Sequence, residues 1–181
     1  EGFPVRDKNG EYRKIRYSDI VILLRSAKTW SAVAEDIFDR FSIPVFTGSD
    51  VGYFDKKEVS VIVSLLRVID NSYQDIPVIS VLKSYIYGVT DNELAEIKVS
   101  SQKEYFIENV YYYAENGENE EIRNKLLSFI KDIENWKKTA PFITVRELLW
   151  RIYTETGYYD YTGALPMGNI KQANLNLLLE K

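Results

Sequence analysis

Three pairs, Thr90/Glu93, Ser101/Glu104 and Thr144/Glu147, each set a hydroxyl three residues before a glutamate, just ahead of apolar residues at helical spacing. This is the capping-box pattern, in which each side chain bonds the other's backbone N–H at a helix start. Leu94 and Ile97 follow the first pair, Phe106, Val110 and Tyr113 the second, and Leu148 and Ile152 the third. Signals repeated in this way commit the second part of the chain to helix. Asp75 ahead of Pro77 reads as another first turn. Between Asn116-Gly117 and Pro141, the spacing of Ile122, Leu126, Phe129, Ile130, Ile133 and Trp136 predicts one long helix. Gly157 breaks the pattern, 166–168 reads as a loop, and Asn169 is expected to cap a last helix through Ala173, Leu177 and Leu178. The acidic run from Glu115 to Glu121 reads as a solvated loop and helix start, where acids suit the dipole.

Residues 1–70 have a different texture. Asn9-Gly10 predicts a turn between two short extended pieces. Asp19-Ile20-Val21-Ile22-Leu23-Leu24-Arg25 is a continuous aliphatic run of strand length, as in a strand buried on both faces of a parallel sheet. Trp30, Val33, Ala34, Ile37, Phe38 and Phe41 recur at helical spacing, and Ile43 to Phe46 reads as a second strand closed by Thr47-Gly48. One strand–helix–strand unit follows, hence a parallel pair with a crossover helix. Asp55, with Glu58 three residues on, is expected to cap a helix burying Val59, Ile62, Val63, Leu66 and Ile69. The fold class is therefore α+β and predominantly α-helical. A partial α/β unit spans 1–70 and a helical domain spans 71–181.

Composition narrows the chemistry. The chain has no cysteine and no histidine, which excludes disulfides, cysteine zinc sites, thiol nucleophiles and histidine triads. The only methionine is Met167 and the first residue is Glu1, so the chain is expected to be a piece of a longer protein. No apolar run reaches the roughly 18 to 20 residues of a membrane span, so no membrane partner is expected. The lack of cysteine suits the cytoplasm. Residues 1–70 carry 11 basic and 11 acidic residues, whereas residues 71–181 carry 12 and 16, so the whole net charge of −4 lies in the helical part.

Gly163 and Gly168 have the glycine spacing of a phosphate loop, but Asn169-Ile170 stands where Lys-Ser/Thr is required and no strand precedes it. It is rejected as a nucleotide site, and neither GxGxxG nor GxSxG occurs. Arg25 sits at the carboxyl end of the expected buried strand, where ligands of parallel sheets bind, and an arginine there can grip a phosphate with two N–H groups. Tyr111-Tyr112-Tyr113 and Tyr158-Tyr159-Asp160-Tyr161 read as interhelical packing, because no cations interleave them.

An ordered set of segments resembles a known family. Asp19 to Ser26, Ile43-Pro44-Val45, Gly52-Tyr53-Phe54-Asp55-Lys56-Lys57-Glu58-Val59 and Leu65 to Asn71 are similar, in this order and spacing, to the UvrD/Rep-like superfamily 1 DNA helicases from motif IV onward. Asn71 to Pro77, Val81 to Ile97 and Gly168 to Leu175 look like the AddA-type helicase/nuclease branch. The resemblance implies that residues 1–70 belong to the second RecA-like motor domain (2A). Residues 71–181 would be the helical 2B insertion, with the final helix returning toward 2A. It implies an ATP- and Mg2+-dependent helicase/exonuclease of double-strand-break repair as the parent, acting at DNA junctions beside an AddB-type partner. No cofactor is expected on this chain alone, and no catalysis, because the ATP-hydrolysing loop, its partner strand motif and the nuclease motifs are absent. Arg25 matches the motif IV arginine that contacts the γ-phosphate of ATP. The duplex-contacting Gly-Ile-Gly loop aligns with Tyr87-Gly88-Val89-Thr90, Tyr87 replacing the first glycine. Lys83, Ser84, Gly88 and Thr90 are the residues expected at DNA. Two other readings stay open: a protein-docking module of a repair complex, and a superfamily 1 helicase without a nuclease.

Overall fold

The computed structural model describes residues 3–7, 9–41, 43–45 and 52–180. They form two compact units that divide between Gly52 and Tyr53.

In the first unit, β1 (Pro4–Arg6) pairs antiparallel with β2 (Tyr12–Lys14), with Val5 opposite Arg13. The expected turn closes them. Asp7 Oδ1 accepts from Asn9 N at 2.8 Å and Glu11 N at 3.0 Å, and Gly10 takes φ 89°, a region open to glycine. A 3₁₀ turn, Tyr17–Asp19, follows. There Asp19 accepts two bonds from Arg13, at 2.7 and 2.6 Å, and one from Arg16 N at 2.8 Å. The Arg13 guanidinium holds the Asp19 carboxyl well below the usual carboxylate range.

The expected buried strand differs in the structure. Asp19 belongs to the 3₁₀ turn, Ile20 to Leu24 carry no strand, and Leu23 is 91% exposed. A central parallel strand is held by ladder bonds on both edges and by helices on both faces. The described residues of this unit supply neither. Ile43, Pro44 and Val45 also carry no strand, and Phe46, Thr47 and Gly48 lie outside the described residues. The crossover helix does form, as α1 (Ala27–Arg40), but its apolar stripe of Trp30, Val33 and Ile37 is exposed.

The second unit is helical throughout its described residues. After a 3₁₀ turn at Tyr53–Asp55 come α2 (Lys57–Asp70), α3 (Asp75–Lys83), α4 (Asp91–Ser101), α5 (Phe106–Asn116) and α6 (Glu120–Thr139). Then follow α7 (Val145–Glu155), α8 (Tyr158–Ala164) and α9 (Gly168–Glu180). Helix α2 packs on α3, α6 and α9, and α5 packs on α3, α4 and α6. One core results, built around Ile62, Leu65, Leu126, Phe129 and Trp136, each fully buried.

Two of the three capping boxes form. Thr90 and Thr144 each exchange bonds with the glutamate three residues on. Asn119 caps α6 through its side chain, and the acidic residues before it are exposed, as the solvated reading requires. Three expected caps shift. Asp55 stands in the 3₁₀ turn and Lys56 is the N-cap of α2, with no side-chain bond. Glu58 is drawn inward instead, where its Oε1 accepts from Asn174 Nδ2 of α9 at 2.6 Å. Ser101 ends α4, and its hydroxyl donates to Asn109 at 2.8 Å. Helix α5 opens at Phe106, whose N–H is met by Asp75 Oδ1 at 2.8 Å. Asn169 lies inside α9, which starts at Gly168.

The Gly163–Gly168 spacing has a packing reason. A Cβ at Gly168 would collide with the Gly163 carbonyl, whereas one at Gly163 meets only the end of the Gln172 side chain. Gly168→Ala is therefore expected to cost about 1–3 kcal/mol, as overpacking does. Gly163→Ala should cost less, because Gln172 can swing away. Urea unfolding followed by circular dichroism checks this; equal midpoints for Gly168→Ala and the native chain would contradict it.

Candidate nucleic-acid interface

The connection from α3 to α4 is short and tightly tied. Lys83 closes α3, and Ser84 caps it. The Ser84 hydroxyl donates to Val81 O at 2.6 Å and accepts from Ile86 N at 3.3 Å. Gly88 N reaches Ser84 O at 2.8 Å, and Val89 N reaches Leu82 O at 2.9 Å. Gly88 adopts φ 62°, and no atom lies within 4 Å of where its Cβ would stand. The glycine is thus required by the backbone, and its outer face is open.

Tyr87, which replaces a glycine of the resembled loop, is a core anchor. Its ring meets Phe129 edge-on at 5.2 Å, and its hydroxyl donates to Asp132 Oδ2 at 3.1 Å. Burial, then the Asp132 carboxylate, pushes the Tyr87 hydroxyl far above its ordinary range. Burial likewise raises Asp132, against the bond from Tyr87.

Thr90 opens α4. Its Oγ1 accepts from Glu93 N at 3.3 Å, and its own N–H donates to Glu93 Oε2 at 2.6 Å. Glu93 also receives Lys125 Nζ from α6 at 2.7 Å. Burial raises the Glu93 carboxyl, but the bonds from Lys125 and Thr90 outweigh it and hold the group below its usual value. Lys83 Nζ lies 2.5 Å from Asp91 Oδ1, in a pair that is largely exposed.

The expected site residues therefore divide. Lys83 and Gly88 are exposed on the loop, whereas the hydroxyls of Ser84 and Thr90 are engaged in shaping it. Arg25 belongs to the other unit, where it is exposed in a turn just before α1. The tyrosine runs pack as read: Tyr113 and Tyr158 are buried, while Tyr111 and Tyr112 keep about two-fifths of their surface. Sequence reasoning passed over Tyr85. Its ring stacks on Tyr161 of α8 with centroids 3.5 Å apart and planes at 5°. The two residues stand in separate elements, and no local spacing brings them together. Among the described residues, no group of three or more potential ligands stands close enough to hold a metal, and no helix is long and apolar enough to cross a membrane.

A helical unit with a rigid exposed loop, beside a segment bearing the motif IV pattern, agrees with comparison to known proteins. The UvrD-like helicase C-terminal domain family matches residues 7–160, and the chain belongs to this family. The AddA protein of Clostridium beijerinckii, an ATP-dependent helicase/nuclease component, is 41% identical over 99% of this chain. Its counterparts of the same name in Acetivibrio thermocellus and Clostridium botulinum Alaska E43 are 41% and 40% identical over the same share. This chain spans only 15% of the first of these and 14% of the other two.

Proposed function

We propose that this chain is part of an AddA-type ATP-dependent DNA helicase/nuclease of cytoplasmic double-strand-break repair, acting with a second, AddB-type protein. The observation that carries this reading is identity running through 99% of the chain to ATP-dependent helicase/nuclease proteins. Residues 1–70 would belong to the second RecA-like motor domain and residues 71–181 to a 2B-like helical insertion. The exposed aliphatic run Ile20 to Leu24 would gain its sheet neighbours from the rest of the longer protein. Arg25 would meet the γ-phosphate of ATP. The carboxylates described here do not fit a resident Mg2+, so nucleotide and metal would be held by other parts of that protein.

The α3–α4 loop would meet DNA through Lys83 and the open face of Gly88, with Ser84 and Thr90 fixing its shape. Exposed ion pairs contribute little, so a phosphate can displace Asp91 from Lys83. Counterion release then gives the test. In the whole protein, Lys83→Gln should weaken binding to forked DNA and lower the slope of log affinity against log salt by about one. An unchanged slope would remove Lys83 from the interface.

A second reading, docking to a protein partner, is favoured by one observation. Phe142, Val145 and Trp150 are 85%, 65% and 50% exposed around the start of α7, an apolar group with the aromatic character of interface centres.

A further inference from the structure

Tyr85 is the large side chain that the fold of the α3–α4 loop does not account for. Tyr87 and Val89 are buried, and Ile86 packs against the core. Tyr85 is 58% exposed, and its hydroxyl has no hydrogen bond among the described residues. Yet its position is fixed. The loop is tied on both sides by the Ser84, Gly88 and Thr90 bonds. Tyr161 backs one face of the ring at 3.5 Å. Tyr161 lies 6.3 Å from Tyr158, which is buried and donates to Glu58 O at 3.3 Å. A series of rings thus runs from the core to the surface and ends on a flat face.

Packing alone is a weak reason for this arrangement. Tyrosine pairs gain most from offset or edge-on contact, not from near-parallel rings set centre over centre. A firmly backed aromatic face turned to solvent is, however, what a stacked base requires. Such stacking tolerates any sequence, because every base has a π-face. Lys83 lies two residues away with its ammonium exposed, within the same loop. A cation for phosphate and a ring for the attached base then stand together.

We propose that Tyr85, backed by Tyr161, is a stacking platform for a nucleobase of DNA held at the α3–α4 loop. The proposal rests on the reading of that loop as a DNA contact. Two sources offer the same chemistry: the terminal base pair of a duplex and an unpaired base at a junction.

The test uses the whole protein and forked DNA carrying 2-aminopurine either at the terminal pair or in the unpaired arm. Tyr85→Ala should weaken binding about tenfold, the usual order for losing one stacked base. It should also abolish the protein-induced fluorescence change in one of the two probes, and that probe identifies the source. Tyr85→Trp should bind at least as tightly as the native protein, and Tyr161→Ala should lose less than Tyr85→Ala. Lys83→Gln separates the loop contact from the platform. If it lowers the salt slope while Tyr85→Ala binds normally, the platform is wrong and the loop contact stands. If both variants bind as the native protein does, the loop does not meet DNA and the platform falls with it. If Tyr85→Ala spares DNA binding but releases the AddB-type partner, the ring serves protein docking and the proposal is overturned.

Discussion

Replacing Arg25 by alanine in the whole protein should lower ATP turnover by roughly three to five orders of magnitude, the range seen when an arginine is withdrawn from a phosphoryl-transfer transition state. The expectation follows from charge. The transferring phosphoryl group spreads negative charge over its outer oxygens, and a guanidinium offers them a planar fork of N–H donors. Its gain is realised mainly as that charge develops, so turnover falls far more than nucleotide affinity. Arg25 is exposed in a turn, so truncation should leave folding intact. Arg25→Lys should recover only part of the rate, because an ammonium keeps the charge and loses the fork. Steady-state hydrolysis at saturating single-stranded DNA gives the measurement, with forked-DNA affinity as the control. Near-native turnover in Arg25→Ala would assign the γ-phosphate contact elsewhere.

What the sequence revealed depended on how local each cause is. Thr90/Glu93 and Thr144/Glu147 form their boxes because both partners lie within one turn. Ser101 fails for the opposite reason. Asn109 is fully buried, accepts from Ser101 Oγ and Lys103 N, and donates to the carbonyls of Lys103 and Tyr105. That network holds the α4–α5 turn and leaves the start of α5 to Asp75, 31 residues earlier. Glu58 and Asn174 are 116 residues apart, so no spacing rule connects them, although both fall in segments that resemble the helicase family. Ile20 to Leu24 has strand composition, but composition supplies no neighbours, and a parallel strand exists only among neighbours. At the loop, the exchange of a glycine for Tyr87 reads in the sequence as a loss of the site. The structure shows a change of anchor: the tyrosine fixes the loop to Phe129 and Asp132 while Gly88 keeps its left-handed turn.

Trp136 carries the second large expectation. It is fully buried on α6, the helix that packs against both α2 and α5. Its indole Nε1 donates to Glu155 Oε2 of α7 at 2.8 Å, so one side chain joins the long helix to the next. Trp136→Ala should cost about 3–5 kcal/mol, the transfer energy of the ring plus the cavity that remains. Domains of this kind are stable by only about 5–15 kcal/mol, so the variant should lose a third or more of its stability. Most of that loss is volume, not the hydrogen bond. Glu155 is partly exposed and keeps Arg151 at 3.2 Å, so its carboxylate is not stranded when the indole goes. Trp136→Phe, which retains an aromatic ring and loses the donor, should cost much less than the alanine variant, since a hydrogen bond contributes only about 0.5–1.5 kcal/mol. Urea denaturation of the three proteins orders them, and fluorescence supplies an independent check. Trp30 and Trp150 are 59% and 50% exposed, so the blue-shifted emission of the folded chain should come from Trp136 and be missing in both variants. An alanine variant that unfolds within about 1 kcal/mol of the native chain would mean that the α6–α7 contact closes over the space, and that the core rests on α2 and α5 instead.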